Sequence, residues 1–221
     1  FPEGIMGPEL IMNMRQQAER FGTTFITEDV TKAALDARPF RLETASGAAI
    51  SARALIVATG AKPRRLDVPG EDALWGSGVS ACATCDGFFF REKRVVVVGG
   101  GDSAMEEATF LTKFASRVTV IHRREEFRAS AIMVDRARRN DRIDFELNAQ
   151  VVEVLGADGK VTGLTLQDTV TGEQRPFACD GVFLAIGHIP NTWLFDDVLD
   201  TDDEGYLVVA EPSTRTNVAG V

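Results

Sequence analysis

Sulfur and imidazole are scarce in this chain: its 221 residues include three cysteines and two histidines, with one tyrosine and two tryptophans. Three cysteines are too few for a disulfide framework at this size, so a reducing compartment and a cytoplasmic location are expected. Basic residues are in deficit, with 24 Lys and Arg against 33 Asp and Glu and a net charge of −9. A nucleic-acid partner would need a basic face, so none is expected. No apolar run approaches the roughly 20 residues that span a bilayer, and the first residues carry no signal-peptide pattern. The length suits one large or two modest domains. Its composition, 44% hydrophobic and 26% charged, is that of an ordinary globular protein. The chain opens on Phe1-Pro2-Glu3 and stops on Asn217-Val218-Ala219-Gly220-Val221, a turn leading into an apolar run, so it is expected to be the middle of a longer polypeptide.

Along the chain, Gly7-Pro8 opens a helical pattern with Leu10, Met14, Gln17 and Ala18 on one face, ending near Phe21-Gly22. Phe25 to Val30 reads as a short strand, and Phe40-Arg41-Leu42 and Ala49-Ile50-Ser51 as a hairpin about Ser46-Gly47. Ala54 to Val57 reads as a buried strand running into Ala58-Thr59-Gly60. Lys62 to Gly78, with two prolines and three glycines among polar residues, reads as a linker. Val95 to Val98 is a continuous β-branched run, as expected of a strand buried on both faces of a parallel sheet. A helical pattern over Ala104 to Ala115 and a strand over Arg117 to Ile121 complete a βαβ unit. A helix through Ile132 to Arg139 follows, then strands near 143–147, 151–155 and 161–166, and another buried strand at Val182 to Ile186. Two strands ending in small-residue turns, Ala58-Thr59-Gly60 and Ala185-Ile186-Gly187, bracket the middle. This symmetry suggests an inserted domain.

Gly99-x-Gly101-x-x-Ala104 follows a strand and opens a helix, the context a dinucleotide loop requires. The first glycine permits the turn and the second lets the backbone approach a pyrophosphate. The small third residue lets helix and strand pack, with the helix N-terminus facing the phosphates. An NAD site would place an acid about 20 residues on. This chain has His122-Arg123-Arg124 there, with Arg128 beyond. Guanidinium groups bind a 2′-phosphate that a carboxylate would repel, so NADPH is preferred over NADH. The bland alternative is a solvated basic stretch in which Glu125 and Glu126 pair with these arginines.

Cys82-Ala83-Thr84-Cys85 lies about a dozen residues before the glycine loop. Structural zinc wants four ligands, and only Cys179 and two distant histidines could join this pair. Inert burial is disfavoured by Asp86, whose charge is costly beside core thiols. A redox pair fits: one thiol attacks, the other resolves the mixed disulfide, and the neighbouring carboxylate moves a proton. Cys179 reads as a packing residue. Electron transfer from a nicotinamide to a disulfide generally runs through a flavin, so FAD is expected although the chain has no second glycine-rich loop.

The run Val79-Ser80-Ala81-Cys82-Ala83-Thr84-Cys85-Asp86-Gly87-Phe88-Phe89 resembles the redox segment of the low-molecular-weight thioredoxin reductases. Gly99 to Ala108, including Asp102, Ser103 and Ala104, resembles that family's NADPH loop, and His122 to Ala129 its 2′-phosphate cluster. Ala185-Ile186-Gly187-His188-Ile189-Pro190-Asn191-Thr192 is similar to its return crossover, so the likeness covers essentially the whole chain. The resemblance implies an α/β fold of two three-layer nucleotide-binding domains of the FAD/NAD(P)-binding type. An NADPH domain at 65–190, carrying the redox disulfide, would be inserted into a discontinuous FAD domain at 1–64 and 191–221. It implies that Cys85 lies beside the flavin, that Cys82 attacks thioredoxin, and that Asp86 is the acid–base. It further implies that Ala58, Thr59 and Gly60 line the FAD, that Val30 offers backbone to its adenine, and that the protein is a homodimer. The family's N-terminal FAD loop and the Gly-Asp segment expected after Val221 are missing, so the activity is assigned to the longer parent protein. Disulfide and nicotinamide must each meet one flavin, so the inserted domain is expected to swing about crossovers near Gly76–Gly78 and Gly187–Asn191. Two rival readings are a related flavoprotein reductase acting on a peroxiredoxin-type or small dithiol partner, and a FAD-free NADPH-binding redox module.

Overall fold

A computed structural model describes the whole chain, residues 1–221. The chain forms two compact units, Phe1–Ala58 with Thr192–Val221, and Thr59–Asn191.

In the first unit, α1 (Gly7–Arg20) has Pro8 in its first turn, where a missing N–H costs nothing, and Gly22 closes it with a φ of +83°. The expected buried face is not buried. Leu10 and Ala18 are partly covered, but Ile11, Met12 and Met14 are exposed, Met14 at 56%. The unit's core forms elsewhere, from Leu35, Phe40, Phe195 and Leu199. Strands β1 (Val30–Ala34), β2 (Phe40–Thr44) and β3 (Ala49–Ala52) make an antiparallel meander. Phe25 to Val30 is therefore not a strand. Pairing begins only at Val30, opposite Thr44 at the end of β2, so the residues before it have no ladder to join. Ala54 to Val57 is not a strand either. Leu55 and Val57 pack toward the core, but Ile56 is 90% exposed and no ladder pairs with the segment.

The second unit contains β4 (Ala61–Pro63), α2 (Glu71–Leu74), β5 (Val79–Ser80), α3 (Ala83–Asp86), β6 (Arg94–Val98), α4 (Asp102–Leu111), β7 (Arg117–Ile121) and α5 (Ala131–Arg138). It continues through β8 (Ile143–Glu146), β9 (Ala149–Ala157), β10 (Lys160–Asp168), β11 (Gln174–Ala178), β12 (Gly181–Leu184) and β13 (His188–Pro190). Its centre is a five-stranded sheet of order β5-β12-β6-β7-β8, every pairing parallel. The valine run explains the layering. Val95 and Val97 pack with Ala104, Met105, Ala108 and Leu111 on the helical face. Val96 and Val98 pack with Val151, Val161, Leu164 and Leu166 on the face covered by the β9-β10-β11 meander. Each buried valine contributes about 1.5 kcal/mol or more, and this alternation gives the unit three layers.

Lys62 to Gly78 is not a free linker. It supplies β4 and α2, and the buried Glu71 carboxylate accepts from Arg65 Nε at 2.8 Å, Leu66 N at 3.2 Å and Asp67 N at 2.8 Å. At the expected pivot Gly76–Gly78 only the last residue is packed: a Cβ at Gly78 would stand 2.5 Å from Val161, while Gly76 and Ser77 are exposed and a Cβ at Gly76 would meet nothing within 4 Å. The chain segments that cross into and out of the unit are β4 and β13, which pair antiparallel with Ala61 opposite Pro190.

Candidate active site

Parallel pairing brings the C-terminal ends of β5, β12, β6 and β7 to one edge of the sheet, the side where open α/β sheets bind ligands. Both candidate motifs leave from this edge.

After β5 the chain turns into the single helical turn α3. Cys82 caps it, with Sγ accepting the Cys85 N–H at 3.2 Å, and the two sulfurs are joined as a disulfide. Cys85 is exposed and Cys82 partly covered, and Asp86 follows on the same turn. Cys179 lies buried in the sheet-to-meander core, and burial pushes its thiol up to about 12. It takes no part in this site.

After β6 comes the glycine loop, and beside it a pocket of about 590 Å³. Gly99, Gly100, His122, Arg123, Arg124 and Arg128 line it, together with Arg64 and Arg65 from the segment before α2. Each glycine has its own reason. A Cβ at Gly99 would strike the Ala185 carbonyl and stand 2.9 Å from Ala104 Cβ; one at Gly100 would run into the His122 ring; one at Gly101 would meet nothing within 4 Å. Gly101 therefore leaves open space at the start of α4, as the approach of a phosphate requires.

Arg123, Arg124 and Arg128 are exposed and form no ion pair, so the expected alternative partners Glu125 and Glu126 leave them free. Their loop is tied down by backbone: Arg128 and Ala129 N–H donate to the Gly100 carbonyl at 2.8 and 3.0 Å. Asp102 Oδ1 accepts from Ser130 N and Oγ at 2.7 and 2.9 Å. His122 is buried, and its ring faces Nε2 toward the Glu126 carbonyl at 3.0 Å, so that nitrogen carries the proton. Burial foremost, with the charges of Arg124, Arg123 and Arg128, holds its pKa below the ordinary histidine value.

The structure thus gathers Gly99, His122, Arg123, Arg124 and Arg128 around one cavity. Gly101, Asp102, Ser103 and Ala104 do not line it: Asp102 bonds Ser130, Ser103 is exposed, and Ala104 is buried against Gly99. Thr59 and Gly60 are exposed, and their carbonyls accept from Asn191 Nδ2 and N at 3.0 and 2.9 Å. Val30 and Ala58 belong to the first unit. Sequence reasoning missed three contributors. Gly100 was signalled only by being one of three consecutive glycines. Arg64 and Arg65 stood in a presumed linker, and Arg65 is fixed both by Glu71 and by stacking 3.5 Å over the Trp75 ring.

An anion pocket on a glycine loop, with a Cys-x-x-Cys disulfide leaving the same sheet edge, defines a class that couples nicotinamide nucleotides to disulfides. The sequence profile of the pyridine nucleotide-disulphide oxidoreductases matches residues 5–221, and the chain belongs to that family. Within it, the chain is 55% identical over 221 residues to a thioredoxin reductase of Streptomyces clavuligerus, covering 100% of this chain and 68% of that protein. It is 54% identical to one of Mycolicibacterium smegmatis, covering 70% of it. Among solved structures, Lactococcus lactis thioredoxin reductase superposes with a TM-score of 0.78 at 37% identity, over 98% of this chain and 71% of that one. The Giardia duodenalis thioredoxin reductase gives 0.76 at 39%, over 100% and 73%.

Proposed function

We propose that the chain carries the working parts of an NADPH-dependent thioredoxin-disulfide reductase, taking two electrons from NADPH through FAD to the Cys82–Cys85 disulfide and on to oxidised thioredoxin. The observation that carries this is the pairing, on one sheet edge, of a formed Cys82–Cys85 disulfide with a pocket lined by Arg123, Arg124 and Arg128, none of them in an ion pair. Unpaired guanidinium groups and the open start of α4 fit a dinucleotide bearing an extra phosphate. Arg123, Arg124 and Arg128 hold the 2′-phosphate, and the Gly99–Gly101 backbone with Asp102, Ser103 and Ala104 shapes the turn beneath the pyrophosphate. The neutral His122 ring is a wall of the pocket. The exposed small residues Ala58, Thr59 and Gly60, with no atom within 4 Å of a Cβ built at Gly60, fit a flat ring approaching backbone. A bound flavin supplies the two-electron relay between nicotinamide and disulfide.

The chain's own residues carry the exchange. In the reduced pair, Cys82 Sγ attacks a sulfur of the thioredoxin disulfide, and the partner's second sulfur leaves as a thiolate. Cys85 Sγ then attacks Cys82 Sγ, which re-forms the bond seen here and expels thioredoxin's remaining sulfur. Asp86 takes up the proton that an attacking thiol loses and passes it to the leaving thiolate, returning to the carboxylate. We further propose a homodimer, supported by the exposed Ile11, Met12 and Met14 on α1, and a cytoplasmic location, supported by the scarcity of cysteine.

The test is NADPH oxidation by the flavin-loaded enzyme with and without oxidised thioredoxin. Thioredoxin-dependent turnover is expected, and is lost in Cys82→Ser and Cys85→Ser. Arg123→Ala with Arg124→Ala raises the KM for NADPH far more than that for NADH. Turnover that survives loss of either sulfur would refute the reading.

A further inference from the structure

The proton-moving carboxylate sits on a helix of four residues, Ala83–Asp86, too short to fix a side chain by itself. An anchor comes from the preceding strand. Ser80, the last residue of β5, is 6% exposed, and its hydroxyl touches both chemically important neighbours. It accepts the backbone N–H of Cys82 at 3.0 Å and stands 2.6 Å from Asp86 Oδ2.

The direction of these bonds follows from what each group can do. An amide N–H only donates, so the bond from Cys82 occupies a lone pair on the Ser80 oxygen. The hydroxyl proton is then free to point at Asp86, where an ionised carboxylate only accepts. The three groups form one directed chain, from the Cys82 amide through the serine hydroxyl to Oδ2. That oxygen is committed as an acceptor, whereas Oδ1 has no hydrogen-bond partner in the protein. A proton added at Oδ2 would turn this bond around and leave the serine proton without its acceptor. A proton added at Oδ1 leaves the chain undisturbed.

We propose that Ser80 is a positioning residue for thiol–disulfide exchange: it reserves Oδ2, holds the carboxylate against the backbone of Cys82, and makes Oδ1 the oxygen that carries the transferred proton. This rests on the reading of Cys82 and Cys85 as the exchanging pair. In the step concerned, the Cys85 sulfur bonds to Cys82 and the bond from Cys82 to the partner's sulfur breaks. Oδ1 takes up the thiol proton of Cys85 as its sulfur attacks and hands it to the departing thiolate, so Asp86 ends as the carboxylate it began as, with Oδ2 accepting from Ser80 throughout.

A double-mutant cycle in the flavin-loaded enzyme tests it, using Ser80→Ala, Asp86→Asn and the pair. Ser80→Ala is expected to lower thioredoxin-dependent kcat by about tenfold, a part of the roughly 10²–10⁴-fold that a positioned acid contributes. In the Asp86→Asn background the same change has an effect of about twofold or less, because the serine acts through that carboxylate. Ser80→Thr, which keeps the hydroxyl, restores the rate, and NADPH-driven bleaching of the flavin keeps its wild-type rate in Ser80→Ala and Ser80→Thr. Equal losses in both backgrounds, slowed bleaching, or no rescue by threonine would overturn the proposal. Should Ser80→Ala fail to fold, the cycle is run with Ser80→Gly under the same criteria. An unaltered enzyme that does not reduce thioredoxin would sink the underlying reading; additivity in an active enzyme sinks only the role of Ser80.

Discussion

The imidazole of His122 occupies the space that a side chain at Gly100 would need. One end of β7 thereby dictates the residue in the middle of the loop after β6. Gly100→Ala must displace a buried ring that also bonds the Glu126 carbonyl, so a loss of about 1–3 kcal/mol is expected, together with a raised KM for NADPH. Gly101→Ala, with open space at its Cβ, is expected to melt like the parent while still raising that KM. Thermal melts beside steady-state kinetics separate the two, and equal melting temperatures for both variants would contradict the assignment.

Glu107 on α4 has Oε2 sealed from water without a hydrogen-bond partner. Burial foremost, then the charge of Glu106, pushes its carboxyl up to about 7 from an ordinary 4.5. The unfolded chain therefore releases this proton at lower pH than the folded one does. Stability falls as pH rises through that window, with nothing lost below it and the loss complete above it. Glu107→Gln removes the ionisation. Its Tm is expected to exceed the parent's at about pH 8, with the gain shrinking to nothing near about pH 4. Melts across that range decide; a gain independent of pH would rule out this origin.

Glu71 gathers the wall carrying Arg64 and Arg65, and its side chain is only 2% exposed. Glu71→Ala orphans two backbone N–H groups and one guanidinium bond. A loss of about 1–3 kcal/mol is expected from denaturant titration, because the Leu66 and Asp67 N–H groups lose their buried acceptor while Arg65 keeps Asp72. Glu71→Gln keeps an acceptor oxygen and should lose clearly less.

Cys179 is expected to stay silent. With its thiol pushed up to about 12, alkylation of the reduced, folded protein should label Cys82 and Cys85 alone. Mass spectrometry counts two adducts per chain; three would show that the sheet-to-meander core opens.

The second unit was legible because its elements carry their own periodicity. Val95 to Val98, the glycine loop and Arg117 to Ile121 lie where the pattern put them, since a strand buried on both faces shows as an unbroken apolar run whatever covers it. The errors share a cause. Met14 and Ile56 belong to apolar runs whose burial depends on what lies across from them, and composition does not report that. The segment from Lys62 to Gly78 looked like a linker because its order comes from one buried carboxylate rather than from a periodic face. Ser80 left no trace as a contributor, because a serine two residues before a cysteine is unremarkable until its hydroxyl is seen bridging to Asp86.

Since β4 and β13 run side by side, with Asn191 bonded across to Thr59 and Gly60, the host polypeptide resumes almost where it was interrupted. A module stitched in through adjacent seams can be gained, lost or exchanged between proteins with little repair, since a short turn would bridge the gap.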